Sequence, residues 1–269
     1  MSSLALETID TIIDHLHDEP TTLKACCTVS KSWVPRTRRY LFARVEFNDS
    51  TSPLEAWKKT FPDPSNSPAH HTRYLSVYGA PDADADASVD DWIRAFHNVE
   101  HLVLAHMHRS LVPFHGLSPA VRSLHLTDTN TDVLDIICSF PLLEDLALLD
   151  LHLDSEPDLR PRNRSSRRNI PSTSPKLTGS LDLRMIWGLR FTAFKLRALP
   201  NGLHFTKITL GFNTGETDST VDLVSECSDT LESLTIICYV MIGTFPSASV
   251  IDQRLTAARG RRNAEDALP

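Results

Sequence analysis

An apolar residue, two variable positions, a large aliphatic, one variable position and a second aliphatic recur along most of this 269-residue chain. The unit reads Val99-Glu-His-Leu102-Val-Leu104, Val121-Arg-Ser-Leu124-His-Leu126, Leu143-Glu-Asp-Leu146-Ala-Leu148, Phe205-Thr-Lys-Ile208-Thr-Leu210 and Leu231-Glu-Ser-Leu234-Thr-Ile236. Looser copies are Tyr74-Leu75-Ser-Val77 and Ser180-Leu181-Asp-Leu183. The central aliphatics, from Leu75 to Leu234, are separated by 27, 22, 22, 35, 27 and 26 residues. Alternating aliphatics make a short strand with one face inward. The aliphatic three residues earlier closes the turn that enters the strand, and a return leg covers the other side. Such a unit cannot bury its apolar face alone, so several must stack.

Return legs with helical spacing lie between the strands, as in Ser88-Val-Asp-Asp-Trp92-Ile93-Arg-Ala-Phe96 and Asp132-Val133-Leu134-Asp-Ile136-Ile137. Asn130 and Thr131 supply helix-start chemistry before the second. Five of the six steps fall in the roughly 20–29-residue range of leucine-rich repeats, which the pattern resembles. The resemblance implies an α/β fold: an irregular solenoid of short parallel strands with helical return legs. It departs from that consensus where an Asn or Cys is usual, since Met107, Thr129, Leu151 and Tyr239 stand there. The asparagine ladder that satisfies backbone groups at the turns is therefore missing. The alternative is an ordinary α/β domain of alternating strands and helices.

The first 45 residues follow another pattern. Ile9, Ile12, Ile13 and Leu16 line one face of a helix, with Asp10, Asp14 and Asp18 opposite. Pro20, Thr21 and Thr22 break it and offer caps for a second helix carrying Leu23, Cys26, Cys27 and Ser30. Pro35 suits the first turn of a third, with Leu41, Phe42 and Val45 as its apolar end. Residues 1–19 hold five acids and no base, whereas residues 20–45 hold six bases and no acid. That segregation is either a partner-facing surface or a self-complementary small bundle; charge runs are usually solvated faces, which favours the second.

Leu4-Ala5-Leu6-Glu7-Thr8-Ile9-Asp10-Thr11-Ile12-Ile13-Asp14-His15-Leu16, followed by Leu23-Lys24-Ala25-Cys26 and Val29-Ser30-Lys31-Ser32-Trp33, resembles an F-box of the large fungal F-box-like family. The match runs from residue 4 to residue 47, with the anchors in order. It departs where the family usually has Leu-Pro, since this chain has Leu4-Ala5 and lacks the stiffening that proline gives the helix entry. The resemblance implies docking onto the Skp-type adaptor of a cullin-RING ubiquitin ligase. Carried over position by position, Leu4, Ala5, Leu6 and Ile9 match the adaptor-facing start, and Leu23, Val29, Ser30 and Trp33 the second half. Ile12, Ile13 and Leu16 suit bundle core and contact equally.

The expected organisation is an F-box-like domain over 1–47, a proline-bearing linker over 48–70 with a short helix at Leu54–Phe61, a repeat solenoid over 71–242 and a tail over 243–269. The 35-residue step carries an insertion at 157–175, whose stretch from Arg160 to Pro175 holds five arginines and no acid. It reads as a solvated loop or as a nuclear-import or phosphorylation-controlled segment with Ser165, Ser166 and Ser172 as acceptors. The tail shows no strand pattern. Either Ile251, Leu255 and Ala258 form a helix covering the last apolar edge, or the chain is a truncated relative of longer proteins.

The net charge of −7 invites neither nucleic acid nor a membrane surface, and 41% hydrophobic residues suffice for a core. The start shows no positive region before an apolar run, so it reads as no signal peptide. Five cysteines without CxxC spacing read as reduced thiols of a cytoplasmic or nuclear protein. His97, His101, His106 and His108 are close in sequence, but they flank a strand and its turn and need not converge on a metal. His70-His71 reads as a polar linker pair, and His15 with His17 as the wet end of the first helix. No nucleophile elbow, HExxH, P-loop or dinucleotide fingerprint is present, and the nine glycines do not cluster. The expected protein is a non-enzymatic adaptor without cofactor or metal, presenting a protein substrate on its repeats to a Skp-cullin-F-box ligase. The alternatives are a repeat protein that recruits no ligase and an enzyme with an unmotifed site.

Overall fold

The computed structural model describes residues 5–48, 53–79, 92–107, 114–115, 117–129, 133–151, 175–184, 196–197, 199, 201–213, 217–242 and 245–253. The insertion through residue 174, the helix start at 88–91, His108, Leu255 and Ala258 lie outside them. The chain forms two compact units, within Met1–Arg122 and within Ser123–Pro269, and its fold is mixed α/β with parallel strands in each.

The first unit opens with helices α1 (Leu6–His15), α2 (Pro20–Val29) and α3 (Val34–Leu41). Pro20 and Pro35 sit in the first turns of α2 and α3, where a missing N–H costs no helical bond. Ile13, Leu23, Cys26 and Thr37 are the buried residues of the three helices. Strand β1 (Arg44–Phe47) follows, then α4 (Pro53–Thr60), two 3-10 helices (Pro64–Asn66 and Pro68–His71), β2 (Tyr74–Tyr78) and β3 (His101–Ala105). Val45 is thus not the end of the third helix. It lies on β1, which pairs in parallel with β2 through Val45↔Leu75 and Phe47↔Val77. The alternation in Arg44-Val-Glu-Phe47, exposed then buried, is a strand period that four residues make easy to overlook.

The linker is packed structure as well. Trp57 of α4 meets Phe42, Phe47 and Phe96 at ring separations of 5.8, 5.9 and 5.6 Å, and Pro68 and Ala69 are buried. Of the return leg expected at 88–96, residues 92–94 are helical and Phe96 is buried.

The second unit contains β4 (Ser123–Thr127), α5 (Val133–Cys138), β5 (Asp145–Leu149), β6 (Ser180–Arg184), β7 (Lys207–Asn213), α6 (Thr217–Glu226), β8 (Ser233–Ile242) and β9 (Phe245–Gln253). β4 to β8 pair in parallel in chain order. The central aliphatics of the repeat stand in one register: Leu124↔Leu146, Leu146↔Leu181, Leu181↔Ile208 and Ile208↔Leu234, with Leu75↔Leu102 in the first unit. The second aliphatics Leu126, Leu148, Leu183 and Leu210 are all at 0% exposure. In strands β3 to β7 the strand period has therefore put both aliphatics of the repeat into the core, while Val77 of β2 and Ile236 of β8 stay half-buried. Leu223 of α6 and the neighbouring Cys227 are buried too. Helix α6 is not among the return legs expected from the sequence.

The turns leaving the strands replace the missing asparagine ladder with main chain. Gly79, His106, Asp128 and Asp150 follow β2, β3, β4 and β5, each with positive φ (81°, 57°, 48° and 49°). That left-handed step is cheap for glycine and tolerated by Asp and His. It aims N–H groups at the next strand: Gly79 donates to Ala105 O, Asp128 to Leu149 O and Asp150 to Arg184 O, at 2.9, 3.1 and 2.9 Å. Met107, Thr129 and Leu151 then turn inward and are buried.

The strandless reading of the tail is corrected. Residues Phe245–Gln253 form β9, antiparallel to β8 with Ile236↔Ile251 in register, so Ile251 belongs to a strand and not to a covering helix. The open edge of β8 supplies the backbone partners that local sequence does not advertise, and Pro246 fits because an edge strand can spare an N–H.

Candidate functional site

Two of the first unit's three opening helices leave large apolar side chains uncovered, whereas Leu142 and Val221 are the exposed large hydrophobics of the second unit. On α1, Leu6, Ile9, Ile12 and Ile13 share one apolar arc, with Leu16 just past the helix end. Helix α3 packs against α1 and α2. It buries Ile13 completely, while Ile12 stays 42% exposed and Leu6 56%. On α2 the split repeats: Leu23 is 1% exposed, and Val29 at the last turn is 65% exposed.

A polar lock fixes this arrangement. Arg36 of α3 donates Nε to Asp14 Oδ1 at 2.7 Å and Nη2 to Asp14 Oδ2, and Tyr40 donates its hydroxyl to Asp14 Oδ1 at 2.7 Å. The hydrogen bonds from Arg36 and Tyr40 hold the Asp14 carboxyl well below its ordinary 3.8, at about 2. Such a fork fixes orientation as well as charge. It sets the rotation of α1 against α3, and hence which aliphatics face outward. The charge segregation thus contains one internal complement between the acidic and basic stretches.

The expected docking residues divide by environment. Leu4 lies outside the described residues. Ala5 is exposed and begins α1 with an extended backbone (φ −62°, ψ 144°), accepting from the N–H of Thr8 and Ile9. Leu6 and Val29 are exposed, Ile9 is half-buried, and Leu23 belongs to the bundle interior. Ser30 ends α2 in extended backbone and shares a 2.9 Å hydrogen bond with Ser32. Trp33 is half-buried and opens α3, its carbonyl accepting from the Thr37 hydroxyl at 2.8 Å. Ile12, which the sequence left between core and contact, is on the outside.

Elsewhere the chemistry is sparse. His97, His101 and His106 are exposed, and among the described residues no group of three or more His, Cys, Asp and Glu converges as a metal site would require. Cys26, Cys27, Cys138 and Cys227 are free thiols, and burial pushes that of Cys227 up. No helix among the described residues is long and apolar enough to cross a membrane. His125 on β4 has an Nε2 without a partner, and burial pushes its pKa down. No protein-family model matches the chain, and no curated protein matches it.

Proposed function

We propose that the chain is a substrate-recognition adaptor. In this reading the helical segment docks onto the Skp-type adaptor of a cullin-RING ubiquitin ligase, and the parallel strands form a degenerate leucine-rich-repeat solenoid that holds a protein substrate in the cytoplasm or nucleus. The observation that carries the reading is the uncovered apolar set Leu6, Ile12 and Val29 on two helices that α3 locks together. Full burial of such a side chain is worth about 1.5–3 kcal/mol. Three of them, each already partly covered, offset part of the cost of association, and further contacts at the interface supply the rest. The F-box-like sequence supports the identity of the partner, and the register of the repeat aliphatics supports the solenoid.

The test is co-purification of the full chain with a Skp-type adaptor. A stoichiometric complex that Val29→Asp abolishes, with the circular dichroism of the variant unchanged, is the expected result. Failure of the wild-type chain to bind overturns the ligase reading.

A second reading, a repeat protein that recruits no ligase, is favoured by Ala5. This exposed helix start has no side-chain cap and stands where the family pattern has proline. An enzyme with an unmotifed site remains a third reading, and turnover with a bound ligand in the purified chain is its positive sign.

A further inference from the structure

The cations of the helical segment are unevenly spent. Of the six bases in residues 20–45, Arg36 is taken by Asp14 and Arg44 by Glu46. Lys24, Lys31, Arg38 and Arg39 are exposed and have no ion pair among the described residues. Two of these four, Arg38 and Arg39, lie near further basic side chains, with Asp14 in electrostatic reach of Arg39. Helix α3 packs against the 3-10 helix Pro68–His71, which carries His70 and His71 with ring centroids 3.9 Å apart. That short helix is a fixed platform: Pro68 and Ala69 are buried, His70 Nδ1 lies 3.0 Å from Ser67 O, and Asn98 donates to His70 O at 2.6 Å. Burial, His70, Arg39 and Arg38 all push the His71 pKa down, and no carboxylate offsets them.

We propose that Arg38, Arg39, His70 and His71 form a docking surface for an acidic peptide segment of a protein partner. Arg38 and Arg39 beside this rigid platform raise the local potential, and a run of carboxylates relieves it and favours protonation of His71. A single compact dianion fits less well, because two backbone donors of this short helix are engaged: Ala69 N–H bonds Ser67 Oγ and Thr72 N–H bonds Ala69 O. Nucleic acid fits less well too. The exposed large hydrophobics include one aromatic, Tyr78 on β2, so the helices offer no platform for stacked bases. The inference is independent of the ligase reading, since it concerns charged groups and not Leu6, Ile12 or Val29.

The test uses the full chain and a fluorescein-labelled peptide of alternating Glu and Gly, read by anisotropy at low and high salt. Its controls are a Ser-Gly peptide, a phosphoserine peptide of equal charge and an oligothymidylate. The acidic peptide binds, salt weakens it, and the double replacement Arg38→Glu with Arg39→Glu weakens it at least about tenfold. Lys207→Glu, a cation on β7, leaves it unchanged. The His71 titration midpoint rises in the complex, followed by NMR, because carboxylates favour the imidazolium. Arg38→Gln with Arg39→Gln gives an intermediate loss and serves as the second variant if charge reversal disturbs folding. Equal affinity of wild type and both double variants overturns the proposal, as does stronger binding of the phosphoserine peptide or the oligothymidylate.

Discussion

The three helices of the first unit and the parallel strands of the second are made from similar aliphatics and use them in opposite ways. In strands β4 to β7 both aliphatics of the repeat are buried, and the N–H of the turn after β4 and after β5 reaches the next strand. In the helices, Ile13 and Leu23 are buried while Leu6, Ile12 and Val29 face outward. The stacked strands turn the aliphatics of their repeats toward one another, and the exposed Leu142 and Val221 lie outside those strands. A small helical segment held by one arginine fork can keep several for another molecule.

Truncation gives the largest separation between the two regions. Leu148→Ala removes a fully buried side chain of β5 and is expected to cost about 2–5 kcal/mol in urea denaturation. Val29→Ala is expected to stay within about 0.5 kcal/mol of wild type in the same measurement. Comparable losses at both positions would erase the contrast.

Gly179→Ala comes next. A Cβ there would lie 2.3 Å from Asp145 Oδ1 and 3.1 Å from Glu144 O, and Asp145 already accepts from Ser180 N–H and its hydroxyl. Overpacking at this junction is expected to cost about 1–3 kcal/mol, read as a lower urea midpoint. An unchanged midpoint would mean that the entry to β6 gives way freely.

A smaller effect tests the helical lock. The Asp14 pKa is depressed to about 2 in the folded chain, so its contribution is present above the unfolded value near 3.8 and fades as pH falls toward 2. Asp14→Asn should flatten the acid limb of the stability curve over that window. An acid limb identical to wild type would show that the lock does not bear on folding.

The smallest expected effect is a gain. Ala5 has φ −62°, the value proline imposes, so Ala5→Pro should stabilise the chain by about 0.4–1 kcal/mol and tighten adaptor binding. A loss of stability would mean that the entry to α1 depends on the Ala5 N–H.

Much of the strand order was legible because its signal is local. Leu75, Leu102, Leu124, Leu146, Leu181, Ile208 and Leu234 carry their own period, and each lies on a parallel strand. β1 and β9 escaped for different reasons. β1 is four residues of alternation beside a helical pattern, and β9 is defined by a partner strand more than by its own sequence. The docking candidates were legible as a list and not as a surface. Periodicity puts Ile12 and Ile13 on one apolar arc, but only the rotation set by Asp14, Arg36 and Tyr40 decides which of them water touches.

The left-handed turn that ends the early strands bears on how such a chain assembles itself. Within the second unit each parallel strand pairs with its neighbour in sequence, so loop closure spans one repeat at a time. Assembly can therefore proceed as a zipper, each finished strand acting as the template for the one that follows it from the ribosome.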